Sequence, residues 1–367
     1  MRLLIAGGGT GGHLFPGIAV ADEVVRRGGS EALDVLFVGT SRGIEARAVP
    51  AAGYALETLQ VTGLKRMGLL GTVRGLLRMP LAIFRSRAIL RKFRPDVVLG
   101  VGGYASGPMV LAAALLGYPT AIQEQNSVPG ITNRVLGRLV RAVFIAFEDA
   151  ARFFPARKTE HLGNPVRQKI VAALESAQPA SASASLRILV VGGSQGARAV
   201  TDLVLATAQV LAARGLDFTL VHQTGAADLA RVEARYRELG LSDRAQAKAF
   251  IDDMAGAYAH AHVVIARAGA LTLAELAIAG KPAILIPLPT AADDHQRKNA
   301  AQFANEGAAQ LFDQATARAE DLAAAIFELG SNPSKRAQMS AAMRALARPQ
   351  AAQAIVDRLQ ALANTKG

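Results

Sequence analysis

The sequence predicts an α/β protein of two domains, each with a parallel β-sheet covered by helices on both faces. Three observations support this fold class. The chain has 367 residues, which is long for a single hydrophobic core. Short runs rich in leucine and β-branched residues alternate with helical patterns along its length. The same opening, a buried strand running into a glycine turn and then a helix, occurs at residues 3–12 and again at residues 188–197.

Seven strands are predicted from apolar runs without polar alternation, the pattern of strands that are buried on both faces of a sheet. They are Leu3–Ala6, Val35–Val38, Val97–Val101, Ile188–Val191, Phe218–Val221, Val263–Ala266 and Ala283–Ile286. The alternating Ala and Ser residues of Ala180–Ser185 are typical of a flexible loop. The Gly/Pro break at Gly163-Asn164-Pro165 is predicted to be the hinge between two Rossmann-like domains.

The composition excludes several classes of protein. Hydrophobic residues make up 51% of the chain and charged residues 19%, which indicates a globular protein and not a disordered one. The apolar runs at Leu3–Ile5 and Met109–Leu116 are too short for a signal peptide core or a membrane span. The absence of cysteine excludes disulfides and thiolate metal sites. We expect a chain that is soluble and cytoplasmic, or peripheral to a membrane.

The net charge of +12 indicates an anionic partner. No acidic residue stands between Glu57 and Asp96, a stretch in which basic and apolar residues are interleaved. The basic ones are Lys65, Arg66, Arg74, Arg78, Arg85, Arg87, Arg91, Lys92 and Arg94, and the apolar ones include Leu69, Leu70, Leu76, Leu77, Leu81, Ile83 and Phe84. Residues 64–94 are therefore predicted to bind an anionic membrane surface through a basic amphipathic helix and its preceding loop. The alternative is a surface helix whose apolar face is core. Nucleic acid is not expected as a partner, because no recognised nucleic-acid module follows.

The first glycine turn has the spacing of a dinucleotide site, since Gly7, Gly9 and Gly12 match G-x-G-x-x-G. A nicotinamide site also needs an acidic residue at the end of the second strand, to hold the ribose. Val35–Val38 is instead followed by Gly39-Thr40-Ser41, and the strand after the second glycine turn ends in His222-Gln223-Thr224. Both turns are predicted to hold phosphate at a helix N-terminus, and neither to hold NAD. The alternative is tight turns without a ligand.

A third glycine cluster, Gly100–Tyr104, follows the strand at residues 97–101. The first half of the chain thus carries two loops that suit phosphate, and the second half carries one. This distribution predicts two phosphorylated substrates, a nucleotide and an acceptor with phosphates of its own, which would meet in a cleft between the domains.

Seven short motifs, in order from residue 3 to about residue 345, resemble those of the MurG glycosyltransferase family. They are Gly8-Gly9-Thr10-Gly11-Gly12-His13 with Phe15-Pro16-Gly17, Gly102-Gly103-Tyr104, Glu124-Gln125-Asn126, Gly163-Asn164-Pro165-Val166-Arg167, Gly192-Gly193-Ser194-Gln195-Gly196-Ala197, Ala268-Gly269-Ala270-Leu271-Thr272 with Glu275, and Asp293-Asp294-His295-Gln296 leading to Asn299-Ala300. The resemblance implies a GT-B fold, in which two Rossmann-like domains face an interdomain cleft. Residues 1–163 would form the acceptor and membrane domain and residues 164–345 the UDP-sugar domain, with a C-terminal helix of about 346–367 returning to the first.

The resemblance also implies an activity in peptidoglycan biosynthesis. The family transfers N-acetylglucosamine from UDP-N-acetylglucosamine, with inversion, to undecaprenyl-pyrophosphoryl-N-acetylmuramoyl-pentapeptide, giving a β-1,4 link at the cytoplasmic face of the membrane. No cofactor and no metal site are expected. Three alternatives stay open: another GT-B glycosyltransferase, a UDP-sugar epimerase, and a binding protein for nucleotide sugars or anionic lipid on the same scaffold.

His13 is the candidate general base, because it follows a phosphate loop at the start of a helix and inverting transfer requires deprotonation of the acceptor hydroxyl. The alternative is a histidine that caps the helix or contacts a phosphate.

Further roles are implied by the resemblance. Glu275 would take the ribose hydroxyls and Ile251 the uracil through its backbone. The alternative for Glu275 is a solvated first-turn residue that interacts favourably with the helix dipole. Because no Asp-x-Asp motif with a following nucleotide site is evident, stabilisation of departing UDP is assigned to Ser194, Arg167 and neighbouring N–H groups, with no obligatory metal. The residues expected at UDP-N-acetylglucosamine are Thr10, Gly11, Gly12, Asn126, Arg167, Ser194, Ile251, Ala270, Leu271, Thr272, Leu273, Ala274, Glu275 and Gln296, with Asn126 and Gln296 on the sugar. Those expected at the acceptor pyrophosphate are Gly9, Gly102, Gly103 and Tyr104.

Overall fold

The computed structural model describes residues 1–28, 34–41, 43–61, 68–176, 185–193 and 196–365, and for residues 68–78 it describes the backbone without the side chains. The chain divides into two compact units. The first comprises Met1–Gln168 together with Arg348–Gly367, and the second comprises Lys169–Ala347. The predicted domain boundaries at residues 163 and 345 lie a few residues before these divisions.

The first unit contains a seven-stranded parallel sheet with the order β3-β2-β1-β4-β5-β6-β7. Its strands are β1 (Leu3–Gly7), β2 (Val35–Gly39), β3 (Ala55–Thr58), β4 (Val97–Gly102), β5 (Thr120–Glu124), β6 (Ala142–Ile145) and β7 (Thr159–His161). The strand order changes direction between β1 and β4. The loops after these two strands therefore flank a crevice at the carboxyl edge of the sheet, where ligands of doubly wound folds bind.

Helices cover both faces of this sheet. They are α1 (Gly11–Gly28), α2 (Glu45–Ala51), α3 (Gly68–Phe93), α4 (Ser106–Leu115), α5 (Ile131–Leu139) and the C-terminal helix Ala351–Asn364. On β1, Leu3 and Ile5 pack in a cluster that includes Ile355 of the C-terminal helix, whereas Leu4 packs on the other face with Met109 of α4. Burial on both faces explains the unbroken apolar runs of the central strands.

The second unit has a six-stranded parallel sheet with the order β10-β9-β8-β11-β12-β13. Its strands are β8 (Leu186–Val191), β9 (Phe218–Gln223), β10 (Ala245–Lys248), β11 (Val263–Ala266), β12 (Ala283–Leu285) and β13 (Ala309–Leu311). Its helices are α6 (Gln168–Ser176), which begins at the boundary, α7 (Arg198–Ala213), α8 (Leu229–Glu238), α9 (Met254–His260), α10 (Ala270–Ala279), α11 (His295–Asn305), α12 (Ala319–Ser331) and α13 (Pro333–Ala345). The change of direction lies between β8 and β11, so this unit has the same kind of crevice as the first.

The predicted α/β class with two parallel sheets is confirmed. All seven predicted strands are present, with ends that differ by at most two residues. Of the predicted loop Ala180–Ser185, residues 180–184 lie outside the described residues. Over the ranges that the structure describes, none of the helices has the length and apolar character to cross a membrane.

Candidate functional site

The glycine loops after β1 and β4 lie side by side at the crevice of the first unit. The Gly8 N–H donates a hydrogen bond of 3.3 Å to the Gly102 carbonyl. A Cβ atom on Gly103 would lie 2.2 Å from the Gly8 oxygen, and Gly8, Gly9, Gly102 and Gly103 all have positive φ angles. Only glycine allows the two backbones to approach this closely. The two predicted phosphate loops therefore form one continuous surface.

A carboxylate that the sequence analysis did not identify lies beneath this surface. Glu45, the first residue of α2, is 1% exposed. Its carboxylate accepts the Gly9 N–H at 2.7 Å, the Thr40 N–H at 2.9 Å and the Thr40 hydroxyl at 2.7 Å. Burial raises the pKa of this carboxyl, but the hydrogen bonds from Gly9 and Thr40 outweigh it and the pKa is lowered. The Gly9 N–H, predicted for the acceptor pyrophosphate, is thus bonded to Glu45 in this structure.

Glycines on three sides make room for Glu45. A Cβ atom on Gly8, Gly39 or Gly43 would lie within 2.6 Å of its side-chain atoms. The sequence therefore contained a signal, a glutamate close behind two glycines. Glu45 was not predicted, because an acidic residue was expected only directly after β2.

His13 lies in the first turn of α1 and its ring packs on the β4 loop. A Cβ atom on Gly102 would lie 3.0 Å from His13 Nδ1. Nδ1 itself lies 2.8 Å from Oε1 of Gln125, which is 1% exposed. Gln125 follows β5, so the motif at residues 124–126 meets the motif at residues 8–13 at the carboxyl edge of the sheet. The sequence analysis quoted Gln125 in a motif and gave it no role.

Glu124 is an ionisable group whose charge interacts with that of His13. Its carboxylate is 1% exposed and accepts the Asn126 N–H at 2.9 Å and the Asn133 side-chain amide at 2.9 Å. Burial raises the pKa of Glu124, although its hydrogen bonds and the His13 charge act in the opposite direction. Asn126, predicted on the sugar, also approaches Glu124 with its side-chain amide at 3.4 Å.

The remaining predicted residues of the first unit lie around this edge. Thr10 and Gly12 are exposed and Gly11 is half-buried. Tyr104 is exposed and follows directly on the β4 loop. The Arg167 guanidinium lies over the ring of Phe15, 5.6 Å from its centroid, which attaches this predicted cation to α1.

In the second unit, the described residues on the two sides of positions 194–195 lie close together after β8. The Gly196 N–H donates to the Gly193 carbonyl at 3.0 Å, and a Cβ atom on Gly196 would lie 2.3 Å from the Thr224 oxygen. Ser194, predicted to stabilise the leaving UDP, lies outside the described residues together with Gln195. Its role stays a prediction.

The N-terminus of α10 faces the other side of this crevice. In any α-helix the first N–H groups have no intrahelical partner, so those of Ala270, Leu271 and Thr272 are suited to an anion. Leu273 differs, since its side chain is fully buried and its N–H donates to the Gly269 carbonyl at 3.0 Å. The backbone N–H of Leu273 is thus already bonded within the helix.

Glu275 lies one turn further along α10, with Ala274 beside it. The Tyr258 hydroxyl, on the buried side of α9, donates to Glu275 Oε2 at 3.2 Å. Burial, and then the charge of Glu275, raise the pKa of Tyr258 well above its ordinary value, so the phenol stays a donor. Tyr258, which the sequence analysis did not single out, therefore orients the carboxylate predicted to hold the ribose.

Two further residues predicted to bind UDP-N-acetylglucosamine belong to this unit, Ile251 in a loop and Gln296 in α11. Ile251 is 5% exposed and lines a cavity of about 560 Å³ together with Phe250 and Asp253. Gln296, in the first turn of α11, accepts the Leu288 N–H with its Oε1 at 3.0 Å. It is therefore bonded to the loop before α11.

Comparisons with known proteins cover nearly the whole chain. Residues 3–145 match the glycosyltransferase family 28 N-terminal domain, and residues 187–355 match the family 28 C-terminal domain. The chain is 50% identical over 357 residues to the UDP-N-acetylglucosamine--N-acetylmuramyl-(pentapeptide) pyrophosphoryl-undecaprenol N-acetylglucosamine transferase of Anaeromyxobacter dehalogenans, covering 97% of this chain and 92% of that one. A crystal structure of Acinetobacter baumannii MurG is 32% identical with a TM-score of 0.79, covering 98% of this chain and 99% of that one. The chain belongs to the MurG family.

The predicted family and its GT-B fold class are thereby confirmed. The match to the family 28 N-terminal domain lies within the first unit. The match to the C-terminal domain lies mostly in the second unit and continues to residue 355 in the first. A UDP-N-acetylglucosamine 2-epimerase structure with a TM-score of 0.67 and 15% identity, covering 100% of this chain and 97% of that one, shares the fold alone. Likeness at that level does not support the epimerase alternative.

Proposed function

We propose that this MurG-family chain transfers N-acetylglucosamine from UDP-N-acetylglucosamine to undecaprenyl-pyrophosphoryl-N-acetylmuramoyl-pentapeptide, forming a β-1,4 link with inversion. The observation that carries the proposal is the 50% identity to a transferase of that name along 97% of the chain. The two crevices are consistent with it, because each unit presents glycine loops at the carboxyl edge of its sheet and both substrates carry pyrophosphates.

The donor is assigned to the second unit. The first-turn N–H groups of α10 meet the charge of the pyrophosphate, and Glu275 accepts the ribose hydroxyls in the orientation that Tyr258 gives it. Ile251 contacts the uracil, and Gln296 the sugar. Ser194 and Arg167 are assigned to the charge that develops on the departing UDP.

The acceptor is assigned to the first unit. Its pyrophosphate lies on the joined surface of the β1 and β4 loops, beside Tyr104. His13 removes the proton of the acceptor hydroxyl while that oxygen forms its bond to C1 of N-acetylglucosamine and the bond from C1 to UDP breaks. The proton remains on the imidazole, and the negative charge leaves with UDP.

A membrane-binding face of the first unit is also proposed. Helix α4 packs against both α3 and α5, and all three helices expose large apolar side chains in this region. The exposed apolar side chains are Leu81, Phe84, Leu115, Leu116, Ile131, Val135 and Leu139. The exposed basic residues of the same helices and their ends are Arg85, Arg87, Arg91, Lys92, Arg138 and Arg141. Apolar and basic groups together suit an anionic bilayer surface. We therefore propose a peripheral location at the cytoplasmic face of the membrane, through a surface wider than the predicted residues 64–94, of which 64–67 lie outside the described residues.

A turnover assay with both substrates tests the function. We expect a disaccharide product from UDP-N-acetylglucosamine and a short-chain prenyl-pyrophosphoryl muramoyl peptide, and no reaction when the acceptor is omitted. Isomerisation of the nucleotide sugar without acceptor would instead identify an epimerase. Binding of both substrates without turnover would identify a binding protein.

A further inference from the structure

A chain of buried side-chain amides leads away from His13. Gln125 Nε2 donates to Gln123 Oε1, and Gln123 Nε2 donates to Asn164 Oδ1 at 3.4 Å. These three residues are between 0% and 5% exposed. This hydrogen-bonded series therefore joins three of the sequence motifs. It ends at Asn164, for which no role beyond the predicted hinge was given.

The orientation of Gln125 within this chain is determined by its neighbours. One end of its amide faces the backbone carbonyl of Val101 at 2.8 Å and that of Gln123 at 3.3 Å. A carbonyl oxygen only accepts hydrogen bonds, so the end that faces it must be the NH₂ group. The Gln125 oxygen must then face His13 Nδ1.

The protonation of His13 follows from this orientation. An amide oxygen has no hydrogen to give, so the 2.8 Å contact is a hydrogen bond only if Nδ1 carries the hydrogen. In a neutral imidazole the other nitrogen, Nε2, then holds the lone pair.

We propose that Gln125 is a positioning residue that holds neutral His13 in the Nδ1–H tautomer, so that Nε2 is the atom that accepts the proton of the acceptor hydroxyl. The inference rests on the proposed role of His13 as the base. Without Gln125 both tautomers would be populated, and the molecules with hydrogen on Nε2 could not act as a base there.

Glu124 interacts electrostatically with the same imidazole, and its task is different. It is held by Asn126 and Asn133, and it is the group whose charge interacts with that of His13. In its ionised form Glu124 stabilises the imidazolium that proton transfer creates. Gln125 therefore determines which nitrogen reacts, and Glu124 favours the charged product.

Nitrogen NMR on the free enzyme tests the tautomer directly. The protein is prepared with ¹⁵N-labelled histidine, and the His13 signals are assigned by their loss in His13→Ala. We expect a pyrrole-type Nδ1 and an unprotonated, pyridine-type Nε2 in the wild-type protein above the imidazole pKa. A wild-type His13 with its hydrogen on Nε2, or with signals averaged between two tautomers, would overturn the proposal.

Two variants extend the test to catalysis. Gln125→Met keeps the length of the side chain and removes the acceptor, so we expect averaged nitrogen signals and a kcat lowered by roughly tenfold or less, well short of the 10²–10⁴-fold that a lost base costs. Gln125→Glu restores an acceptor and adds a charge. In this variant the fixed tautomer should return and the acidic limb of kcat/KM should move to higher pH, because a carboxylate favours the protonated imidazole.

The wild-type NMR result stands even if Gln125→Met folds poorly, and the thermal unfolding midpoint of each variant reports its folding. A wild-type tautomer signal that persists in folded Gln125→Met would refute the role of Gln125. A fixed tautomer together with an acidic limb that survives in His13→Ala would refute the base, and leave the tautomer assignment standing.

Discussion

Single residues in both crevices are oriented by partners that the sequence does not place near them. Gly9 and Glu45 are 36 residues apart, and His13 and Gln125 are 112 residues apart. A role for His13 was predicted from its glycine motif and one for Glu275 from the family resemblance, and both stay predictions. Glu45, Gln125 and Tyr258 were not singled out, because their contacts are created only by the folded sheets. Three predictions concern this scale.

Glu275→Ala is expected to weaken UDP binding and to raise the KM for UDP-N-acetylglucosamine. A charged hydrogen-bond pair contributes about 1–3 kcal/mol, so the Kd should rise by roughly 5- to 150-fold. Titration calorimetry with UDP measures the effect. Unchanged affinity would make Glu275 a solvated residue of α10.

Tyr258→Phe is expected to give a smaller loss of UDP affinity, of about 1 kcal/mol, because it removes only the hydroxyl that orients Glu275. The double variant with Glu275→Ala supplies the control. If Tyr258 acts through Glu275, adding Tyr258→Phe to Glu275→Ala should cost nothing further, and full additivity of the two losses would speak against that route.

His13→Ala is expected to lower kcat by about 10²–10⁴-fold with UDP affinity nearly unchanged. The acidic limb of the kcat/KM profile should disappear with the imidazole. A histidine that only contacts the acceptor pyrophosphate would behave differently, since its removal would raise the acceptor KM and leave the limb in place. Full pH profiles of both proteins distinguish the two roles.

At the scale of elements, the predictability of a strand depends on where its side chains lie. The central strands β1, β4 and β8 could be predicted because both of their faces are apolar. Strands such as β3 and β7 stand at the edges of the first sheet, are only partly buried and have mixed sequences.

Strand β5 was missed for another reason. It is fully buried within the sheet, yet its sequence ends in the polar residues Gln123 and Glu124. The sequence analysis expected buried strands to be unbroken apolar runs, a rule that these two residues break. Their hydrogen bonds satisfy them in the interior. The failure of the rule therefore coincides with the candidate site.

The face formed by α3, α4 and α5 gives a prediction at the same scale. Arg85→Glu with Arg87→Glu should weaken binding to anionic vesicles, by about 1 kcal/mol for each basic residue near the surface. Phe84→Ser should reduce the binding that persists in high salt. Co-sedimentation measures both effects, and the charge-matched control is Arg235→Glu with Arg237→Glu, at two exposed positions of α8 in the second unit. Equal binding of the wild-type protein to neutral and anionic vesicles would contradict the electrostatic part.

At the scale of the whole molecule, each unit has its own hydrophobic core, and its stability has its own dependence on pH. His222, at the end of β9, is fully buried and bonded to the Tyr236 hydroxyl at 2.9 Å. Burial lowers the pKa of His222 from 6.5 to about 4. Between these pH values the unfolded chain binds a proton that the folded unit does not, so acid favours unfolding.

The second unit should therefore lose stability as the pH falls from about 6.5 to about 4, by roughly 3 kcal/mol from His222 alone. The contribution is complete above pH 6.5. His222→Gln should flatten this part of the pH dependence, and His260→Gln, at an exposed site, should not. Urea unfolding of the three proteins across the pH range measures the difference. Parallel curves for the wild type and His222→Gln would contradict it.

The position of the C-terminal helix Ala351–Asn364 affects the order in which the two units can fold during synthesis. It covers one face of the first sheet, where Ile355, Val356 and Leu359 are fully buried. The ribosome must therefore complete the whole second unit before it makes the last part of the first. A nascent chain that has reached Ala347 contains every residue of the second unit. The first unit still lacks the C-terminal helix, so an apolar face of its sheet is uncovered. Protease treatment of ribosome-bound chains of increasing length should therefore show full protection of the second unit before that of the first, the reverse of the usual order along a chain.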